Sequence, residues 1–212
     1  MDRSLIEIDS AFTEHYKKLL EIQREIKKQL DDYCFDLTKT EITDAIIERM
    51  MAFWYFNVNN NKDILDRKIN SMASDFFTET CLLFFKCYFE RFGLKVFSEK
   101  RLEGSLARPD ITIWKNEQLI AAIELKVNKG WKNKSMIDHL EKRENQIKEI
   151  YPSCFFAVIG FWNFFDQDSK DWNSKYFGIL HDRQDKHERA NSSIENLITK
   201  ISQYYNNSYL IE

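Results

Sequence analysis

Glycine and proline are scarce in this chain of 212 residues, which has only five glycines and two prolines. None of the seven lies before Gly93. Because glycine and proline are the residues that most strongly interrupt helices, a first stretch of 92 residues without either predicts helix throughout. The chain therefore divides into a helical first part and a second part that is punctuated by turns.

Other features that would indicate particular classes of protein are also missing. No window approaches roughly 18 consecutive apolar residues, so we expect no membrane-spanning helix, and the first residues carry no apolar run typical of a secretory signal. The four cysteines lack CxxC pairing or zinc-like spacing with histidine, which predicts buried, reduced thiols in a cytoplasmic protein. No glycine-rich phosphate loop is present, which argues against nucleotide hydrolysis.

Acidic and basic residues are distributed unevenly behind a net charge of −3. Residues 1–92 hold 13 basic and 17 acidic side chains, whereas residues 93–150 hold 12 basic and nine acidic ones. A polyanion responds to the local electrostatic field rather than to the net charge of a whole protein. The basic middle segment is therefore a candidate for contact with nucleic acid.

Apolar residues in the segment 4–33 recur at helical spacing. One set lies seven residues apart, at Leu5, Phe12, Leu19, Ile26 and Tyr33. Ile8 and Ile22 lie between them, but His15 and Gln29 interrupt this second column. The pattern predicts a helix packed on its own domain, with the contact surface of a coiled-coil dimer as the alternative.

The rest of the chain predicts a sheet flanked by helices. Thr38-Lys-Thr-Glu41 has the form of a capping box that opens a helix over about 40–57, and a largely apolar helix follows from about 63 or 72 to 92. The periodicity then changes to two, which predicts strands over 94–98, 110–114, 119–127, 153–161 and 176–180, with a helix over 135–151 and a last helix from Ser192 to about 205.

The predicted fold class is α/β (α+β), a mixed sheet with a large helical N-terminal part. We divide it into a helical N-terminal region, 1–70, for dimerisation or DNA binding, and a core, 71–212.

Two opposite charges interrupt an otherwise apolar strand at Glu124 and Lys126. Residues two apart on a strand share a face, and unpaired buried charges are costly, so the two side chains are either paired or part of a site. Asp110 begins the preceding strand of the same hairpin, so its carboxylate can lie close to that of Glu124. Two close carboxylates favour Mg²⁺, which prefers oxygen ligands. The alternative, a simple buried ion pair, leaves Asp110 unexplained.

Arg108-Pro-Asp110, thirteen intervening residues and Glu124-Leu-Lys126 together resemble the PD-(D/E)XK nuclease superfamily, which includes most type II restriction endonucleases. The resemblance covers about residues 79–162 and extends to the order of elements. That superfamily has a helix with an acidic residue, a strand, a hairpin that carries Asp and Glu-x-Lys, a helix and a strand. The resemblance implies a restriction-endonuclease-like fold.

The resemblance also implies roles for particular residues. Asp110 and Glu124 correspond to the ligands of Mg²⁺, Leu125 to the residue that offers its backbone carbonyl to the metal, and Lys126 to the amine that activates the attacking water. Glu79 resembles the acidic residue of the helix.

Glu90 is the alternative to Glu79, and a solvated surface acid is the alternative for both. Gln146 and Tyr151 resemble the Gln-x-x-x-Tyr signature of exonuclease-like relatives, but their spacing is one residue longer, which favours an ordinary polar helix residue at Gln146.

Basic residues surround the predicted site in the sequence. Arg108 precedes it, and Lys129, Trp131, Lys132 and Lys134 form a loop directly after the strand that carries Glu124. Basic side chains can contact phosphates and an aromatic ring can stack on bases. We expect this set to bind DNA, with a solvated loop as the alternative.

The resemblance therefore implies a Mg²⁺-dependent endonuclease, and most specifically a type II restriction endonuclease that cuts double-stranded DNA at a specific site. It further implies a homodimer, since a two-fold enzyme cuts both strands of a palindrome, and a cognate DNA methyltransferase that acts on the same site. A repair, junction-resolving or phage-defence nuclease without a fixed recognition sequence is the first alternative. A catalytically inactive DNA-binding subunit with the nuclease fold is the second.

Overall fold

The computed structural model describes residues 4–56, 72–104, 107–127, 134–162, 174–181, 188–190 and 192–209. The helices are α1 (Leu5–Asp31), α2 (Glu41–Trp54), α3 (Met72–Phe89), α4 (Lys134–Lys148) and α5 (Ile194–Tyr209). The strands are β1 (Lys95–Ser98), β2 (Ile111–Lys115), β3 (Gln118–Lys126), β4 (Phe155–Trp162) and β5 (Tyr176–Leu180). None of the described helices is both long enough and apolar enough to cross a membrane.

The chain divides into two compact units, residues 1–34 and residues 35–212. The first unit consists mainly of α1, which begins with a complete capping box. The Ser4 side chain accepts a hydrogen bond from the Glu7 amide, and the Glu7 carboxylate accepts one from the Ser4 amide. The boundary between the units lies at residue 34 rather than at residue 70, the boundary predicted from the sequence. It lies there because α2 packs against α3 and α5 within the second unit.

The second unit is built on a five-stranded mixed sheet with the strand order β1-β2-β3-β4-β5. β1, β2 and β3 are antiparallel neighbours, and β4 and β5 continue the sheet in parallel with β3. Each predicted strand is present, with its bounds shifted by no more than two residues. The α+β class with a mixed sheet is therefore confirmed.

Helices cover both faces of the sheet. On one face, Phe77 of α3 contacts Phe161 of β4 through an edge-to-face ring pair, and Lys200 of α5 lies over the ring of Phe177 in β5. On the other face, α4 places Arg143 against Glu124 of β3. Because side chains alternate along a strand, α3 and α5 share one face and α4 covers the opposite one, the face that carries Glu124.

The start of α2 differs from its prediction. The capping box over Thr38–Glu41 is wrong: the Thr38 hydroxyl bonds the carboxylate of Asp36 in a local turn, and the N-cap residue of α2, Thr40, makes no side-chain capping bond. The cap comes from far along the chain instead. The buried carboxylate of Glu195 in α5 accepts hydrogen bonds from the amides of Ile42 and Thr43, at 2.7 and 3.0 Å.

The end of α3 and the burial of the cysteines can also be compared with the predictions from the sequence. α3 ends in a 3-10 turn at Glu90–Phe92, which Gly93 closes in the left-handed region with φ of 71°, as predicted. The predicted start of that helix between residues 63 and 71 lies outside the described residues. Cys81, Cys87 and Cys154 are buried, but Cys34 is exposed, so the prediction that the thiols are buried is wrong for Cys34.

Candidate active site

The β2–β3 hairpin brings the predicted site residues together. Ile111 pairs with Ile123, so Asp110 lies beside Glu124 just beyond the paired part of the hairpin. The ammonium of Lys126 lies 3.3 Å from Glu124 Oε2 and 3.8 Å from Asp110 Oδ2. Both carboxylates therefore lie within reach of one cation, as the alternation of β3 predicts.

The cluster is buried at one side and open at the other. Glu124 is 3% exposed, whereas the side chains of Asp110 and Lys126 are each 27% exposed. Asp110 is further held in place because its Oδ2 accepts a hydrogen bond of 2.6 Å from the Leu125 amide. Asp110 and Lys126 therefore form the solvent-exposed part of the cluster, and Glu124 forms its buried part.

Arg143 of α4 is a fourth charged member of the cluster, and its place in the site was not predicted from the sequence. Its Nε lies 2.6 Å from Glu124 Oε1, and its Nη2 donates to the carbonyl of Arg108. The guanidinium therefore joins β3 to the segment that precedes Asp110. The sequence contained one indication that Arg143 points toward the sheet. Met136, Leu140 and Ile147 form the buried stripe of α4, and Arg143, three positions after Leu140, lies on that stripe.

Burial raises the pKa of Glu124 above its ordinary value, and the negative charge of Asp110 raises it further. The positive charges of Lys126 and Arg143 act in the opposite direction and offset part of this rise. Glu124 is thus a carboxylate whose charged form depends on nearby cations.

The donor set fits a hard divalent cation. Although Arg143 Nε is close, Glu124 Oε1 is a buried oxygen without a hydrogen bond of normal geometry to any described residue. The amide and carbonyl of one strand residue point to the same edge, so the Leu125 carbonyl points to the edge on which its amide meets Asp110. Two carboxylates and a carbonyl are oxygen ligands of the kind that Mg²⁺ prefers.

A glycine makes room for a tyrosine hydroxyl on the neighbouring part of this face. Lys126 pairs with Gly160 of β4, and Gly160 pairs with Gly178 of β5. A Cβ atom on Gly160 would lie 2.2 Å from the hydroxyl of Tyr176, which donates a hydrogen bond to the carbonyl of Trp162. The Tyr176 hydroxyl therefore occupies the space that a side chain at position 160 would fill, one strand away from Lys126.

The predicted helix acid is not part of this cluster. Glu79 is exposed on α3, and Glu90 pairs with Lys86 on the surface. Among the described residues, no group of three or more His, Cys, Asp or Glu side chains is arranged to hold a metal. No such group joins Glu79 to Asp110 and Glu124 among the described residues, and the role of Glu79 as the acidic residue of the helix stays a prediction.

The predicted DNA-binding residues are only partly described. Arg108 is exposed. Lys129, Trp131 and Lys132 lie outside the described residues, and Lys134 is the first residue of α4, its side chain also outside the description.

The Gln-Tyr pair falls on a different part of the sheet. Gln146 is exposed, and the ring of Tyr151 packs edge-on against Trp114 at 5.7 Å. Trp114 pairs with Leu119 at the start of β3, five residues and hence roughly 17 Å from Glu124. Tyr151 therefore packs at the end of the sheet that lies away from the cluster.

Comparisons with known proteins identify no relative: no protein-family model, no curated protein and no solved structure matches this chain.

Proposed function

We propose that this protein is a Mg²⁺-dependent endonuclease that hydrolyses phosphodiester bonds of DNA. The observation that supports the proposal most directly is the convergence of Asp110, Glu124 and Lys126 on one partly open site. Two acids beside an amine, with a buried carboxylate oxygen of Glu124 whose close partner is the Arg143 guanidinium, are suited to metal-assisted hydrolysis of a phosphodiester.

The order of elements supports a restriction-endonuclease-like fold within the α+β class. The succession α3, β1, β2, β3, α4, β4 is the order that the resemblance to the PD-(D/E)XK superfamily implies. The hairpin carries Asp110 and Glu124, and β4 runs parallel to β3 after the α4 crossover. This agreement extends beyond the motif, because it involves pairing directions that the motif letters do not specify.

In the proposed mechanism, Asp110, Glu124 and the Leu125 carbonyl would hold Mg²⁺. When bound, Mg²⁺ would neutralise the charge of the scissile phosphate and lower the pKa of an attacking water. Lys126 would donate a hydrogen bond to that water and stabilise the negative charge that develops in the transition state. The water oxygen would form the new bond to phosphorus as the bond from phosphorus to the 3′ oxygen breaks; the water would lose a proton to solvent and the 3′ oxygen would take one up from solvent, which gives a 5′ phosphate and a 3′ hydroxyl.

Double-stranded DNA is the proposed substrate, and a cytoplasmic type II restriction endonuclease that acts as a homodimer is the proposed biological form. A neighbouring gene for a DNA methyltransferase would support that form. A repair, junction-resolving or phage-defence nuclease is the alternative for the same site. Discrete bands from a digested plasmid would favour restriction, whereas a smear or structure-dependent cutting would favour the alternative.

A second candidate function is a DNA-binding subunit with the same fold and no catalysis. The specific observation in its favour is Arg143, because two acids and two basic residues make a cluster that is neutral without a metal. In this candidate, the guanidinium takes the position of the metal permanently and the cluster stabilises the hairpin. The two candidates differ in whether the site binds Mg²⁺.

The decisive experiment is digestion of plasmid DNA with and without Mg²⁺ by the wild-type protein and by Asp110→Asn and Lys126→Gln. Asparagine keeps an oxygen that can accept the Leu125 amide hydrogen bond, so Asp110→Asn removes charge with little structural change. We expect cleavage only with Mg²⁺ and a loss of at least about a hundredfold in both variants.

Glu141→Gln is the matched control, because Glu141 is an exposed acid on α4. Full cleavage by Asp110→Asn would show that the site is wrongly assigned. Absence of Mg²⁺ binding by calorimetry, together with binding of DNA without cleavage, would favour the inactive subunit.

A further inference from the structure

An apolar stripe on α1 is exposed to solvent along much of the helix. Its members are exposed or partly exposed and lie at Leu5 and, seven residues later, at Phe12, Tyr16, Leu19, Ile22, Ile26 and Leu30, which follow one another at intervals of three or four residues. Contiguous exposed apolar surface of this kind marks an interaction site. Apolar residues that recur on average about every 3.5 residues are typical of a helix that packs along another helix.

The charges of α1 are polarised along its length. Residues 5–16 contain three acids and no lysine or arginine, whereas residues 17–31 contain five basic residues and three acids. Two copies of such a helix attract each other when they run antiparallel, because each acidic half then lies beside a basic half. Parallel copies would place like charges together. The charge pattern therefore favours a second copy of this chain, in antiparallel orientation, as the partner of the stripe.

The flanking charges select one register. In an antiparallel pair, the positions that flank the stripe on one side face each other across the two helices; in α1 these include Lys18 and Glu25. When Leu19 packs against Ile22 of the second copy, Lys18 lies opposite Glu25 of that copy, and the two-fold axis repeats the pair. A shift by one heptad in one direction places Lys18 opposite Lys18, and a shift in the other direction places Glu25 opposite Glu25.

We propose that α1 pairs with α1 of a second copy of this chain as an antiparallel helical dimer, centred on Leu19 and Ile22 and flanked by two Lys18–Glu25 ion pairs. His15 and Gln29, the polar residues that interrupt the apolar pattern of α1, then face Ile26 and Phe12 of the second copy. Neither of them meets a His15 or a Gln29 of that copy. The proposal does not rest on nuclease activity, because only the exposure and charge of α1 enter it.

Neighbouring leucines provide a matched test. Leu19 lies on the stripe and is 45% exposed, whereas Leu20 points away from the stripe and is 52% exposed. Sedimentation velocity of the full chain should give a dimer. Leu19→Glu should give a monomer, with the dissociation constant raised at least tenfold, and Leu20→Glu should leave the dimer intact. Far-UV circular dichroism checks that both variants keep their folded helical content.

A monomeric wild-type chain would overturn the proposal, since α1 would then not pair with a second copy. A dimer that survives Leu19→Glu would overturn it too, because another surface would then form the contact. Plasmid cleavage is measured separately, so failure of the dimer and failure of the nuclease are distinguishable.

Charge reversal tests the orientation. Lys18→Glu and Glu25→Lys should each weaken the dimer about threefold or more, because each places like charges opposite one another twice. The double variant should restore the wild-type dissociation constant. In a parallel pair, positions 18 and 25 do not face each other, so the absence of rescue by the double variant would exclude the antiparallel arrangement.

Discussion

At the scale of single residues, the candidate site contains two acidic and two basic side chains around one buried oxygen, Oε1 of Glu124. Lys126 contacts both carboxylates, whereas Arg143 contacts only Glu124. A cation that binds at Glu124 must therefore compete with the guanidinium of Arg143. This competition makes Arg143 the residue whose replacement is most informative about metal binding.

Arg143→Gln is expected to tighten Mg²⁺ binding at about pH 8 by at least about fivefold, because it removes the cation that competes for Glu124 and leaves that buried carboxylate uncompensated. The positive charge of Arg143 also lowers the pKa of Glu124, so its loss moves that pKa further upward. The gain should shrink at about pH 6, where protons compete with the metal. Isothermal titration calorimetry at both pH values measures each effect.

Lys142→Gln is the control for this experiment, since it removes the same charge from an exposed neighbour on α4. Binding that is weaker in Arg143→Gln than in Lys142→Gln would contradict the competition and make Arg143 a supporting part of the binding site.

Glu144, next to Arg143, supports a prediction about stability and pH. Burial alone would raise its pKa, but hydrogen bonds from Lys148 and Lys175 outweigh burial, and the pKa is lowered from 4.5. A lowered folded-state pKa stabilises the protein above the unfolded-state value and ceases to do so as pH falls through the lowered value. Glu144→Gln should therefore cost about 3 kcal/mol near pH 7 and clearly less at about pH 3.

Urea unfolding of the wild-type protein and of Glu144→Gln at the two pH values gives the difference directly, because the other carboxylates titrate alike in both proteins. Glu149→Gln serves as the exposed control on the same segment. An equal cost at both pH values would mean that Glu144 acts through packing rather than through its charge.

At the scale of elements, the starts of α2 and α5 cap each other. Glu195 accepts from the amides of Ile42 and Thr43, and the hydroxyl of Thr43 donates to Glu195 while it accepts from the Ile194 amide. The carboxylate also lies at the first turn of α2, where the helix dipole is positive. Two helices separated by most of the chain are thus joined by one buried side chain.

Glu195→Ala should destabilise the second unit by about 3 kcal/mol, because it leaves buried amides at the start of α2 without an acceptor. Glu195→Gln keeps one acceptor oxygen and should cost about half as much. Glu48→Gln, an exposed change on α2, should be nearly neutral. Urea unfolding monitored by tryptophan fluorescence measures all three, and equal costs for Ala and Gln would contradict a capping role.

The packing of β4 against Tyr176 gives a prediction about strand spacing. Gly160→Ala should destabilise the protein by about 2 kcal/mol, because the new methyl group would overlap the Tyr176 hydroxyl and force a shift. If this overlap is the cause, the Gly160→Ala change should cost much less in a Tyr176→Ala background. Unfolding free energies for the four proteins of this cycle measure the coupling, and an additive result would place the strain elsewhere.

Local patterns predicted the elements well, and long-range contacts explain the rest. The strands follow from apolar runs and turn residues that are neighbours in sequence, and the approach of Asp110 to Glu124 follows from the short hairpin between them. The α2 cap could not be predicted, because Glu195 lies 153 residues from Ile42. Arg143 was missed for a related reason: only the crossover of α4 over the sheet decides which side chain meets Glu124.

At the scale of the whole molecule, the division at residue 34 predicts that the second unit folds without the first. All five strands and all five tryptophans belong to residues 35–212, so tryptophan fluorescence reports on this unit alone. A chain that begins at Phe35 should therefore unfold in urea with a free energy within about 1 kcal/mol of the full-length value, as expected for an independent domain.

The same truncated chain connects the two proposals. It should keep Mg²⁺ binding, because Asp110, Glu124 and Lys126 all lie in the second unit, and it should sediment as a monomer, because α1 is removed. Concentration-dependent unfolding of the full chain but not of the truncated one is the expected signature of this difference, since association stabilises only the form that can pair. Failure of the truncated chain to fold would contradict the independence of the second unit, and the dimer would then be tested by Leu19→Glu in the full chain alone.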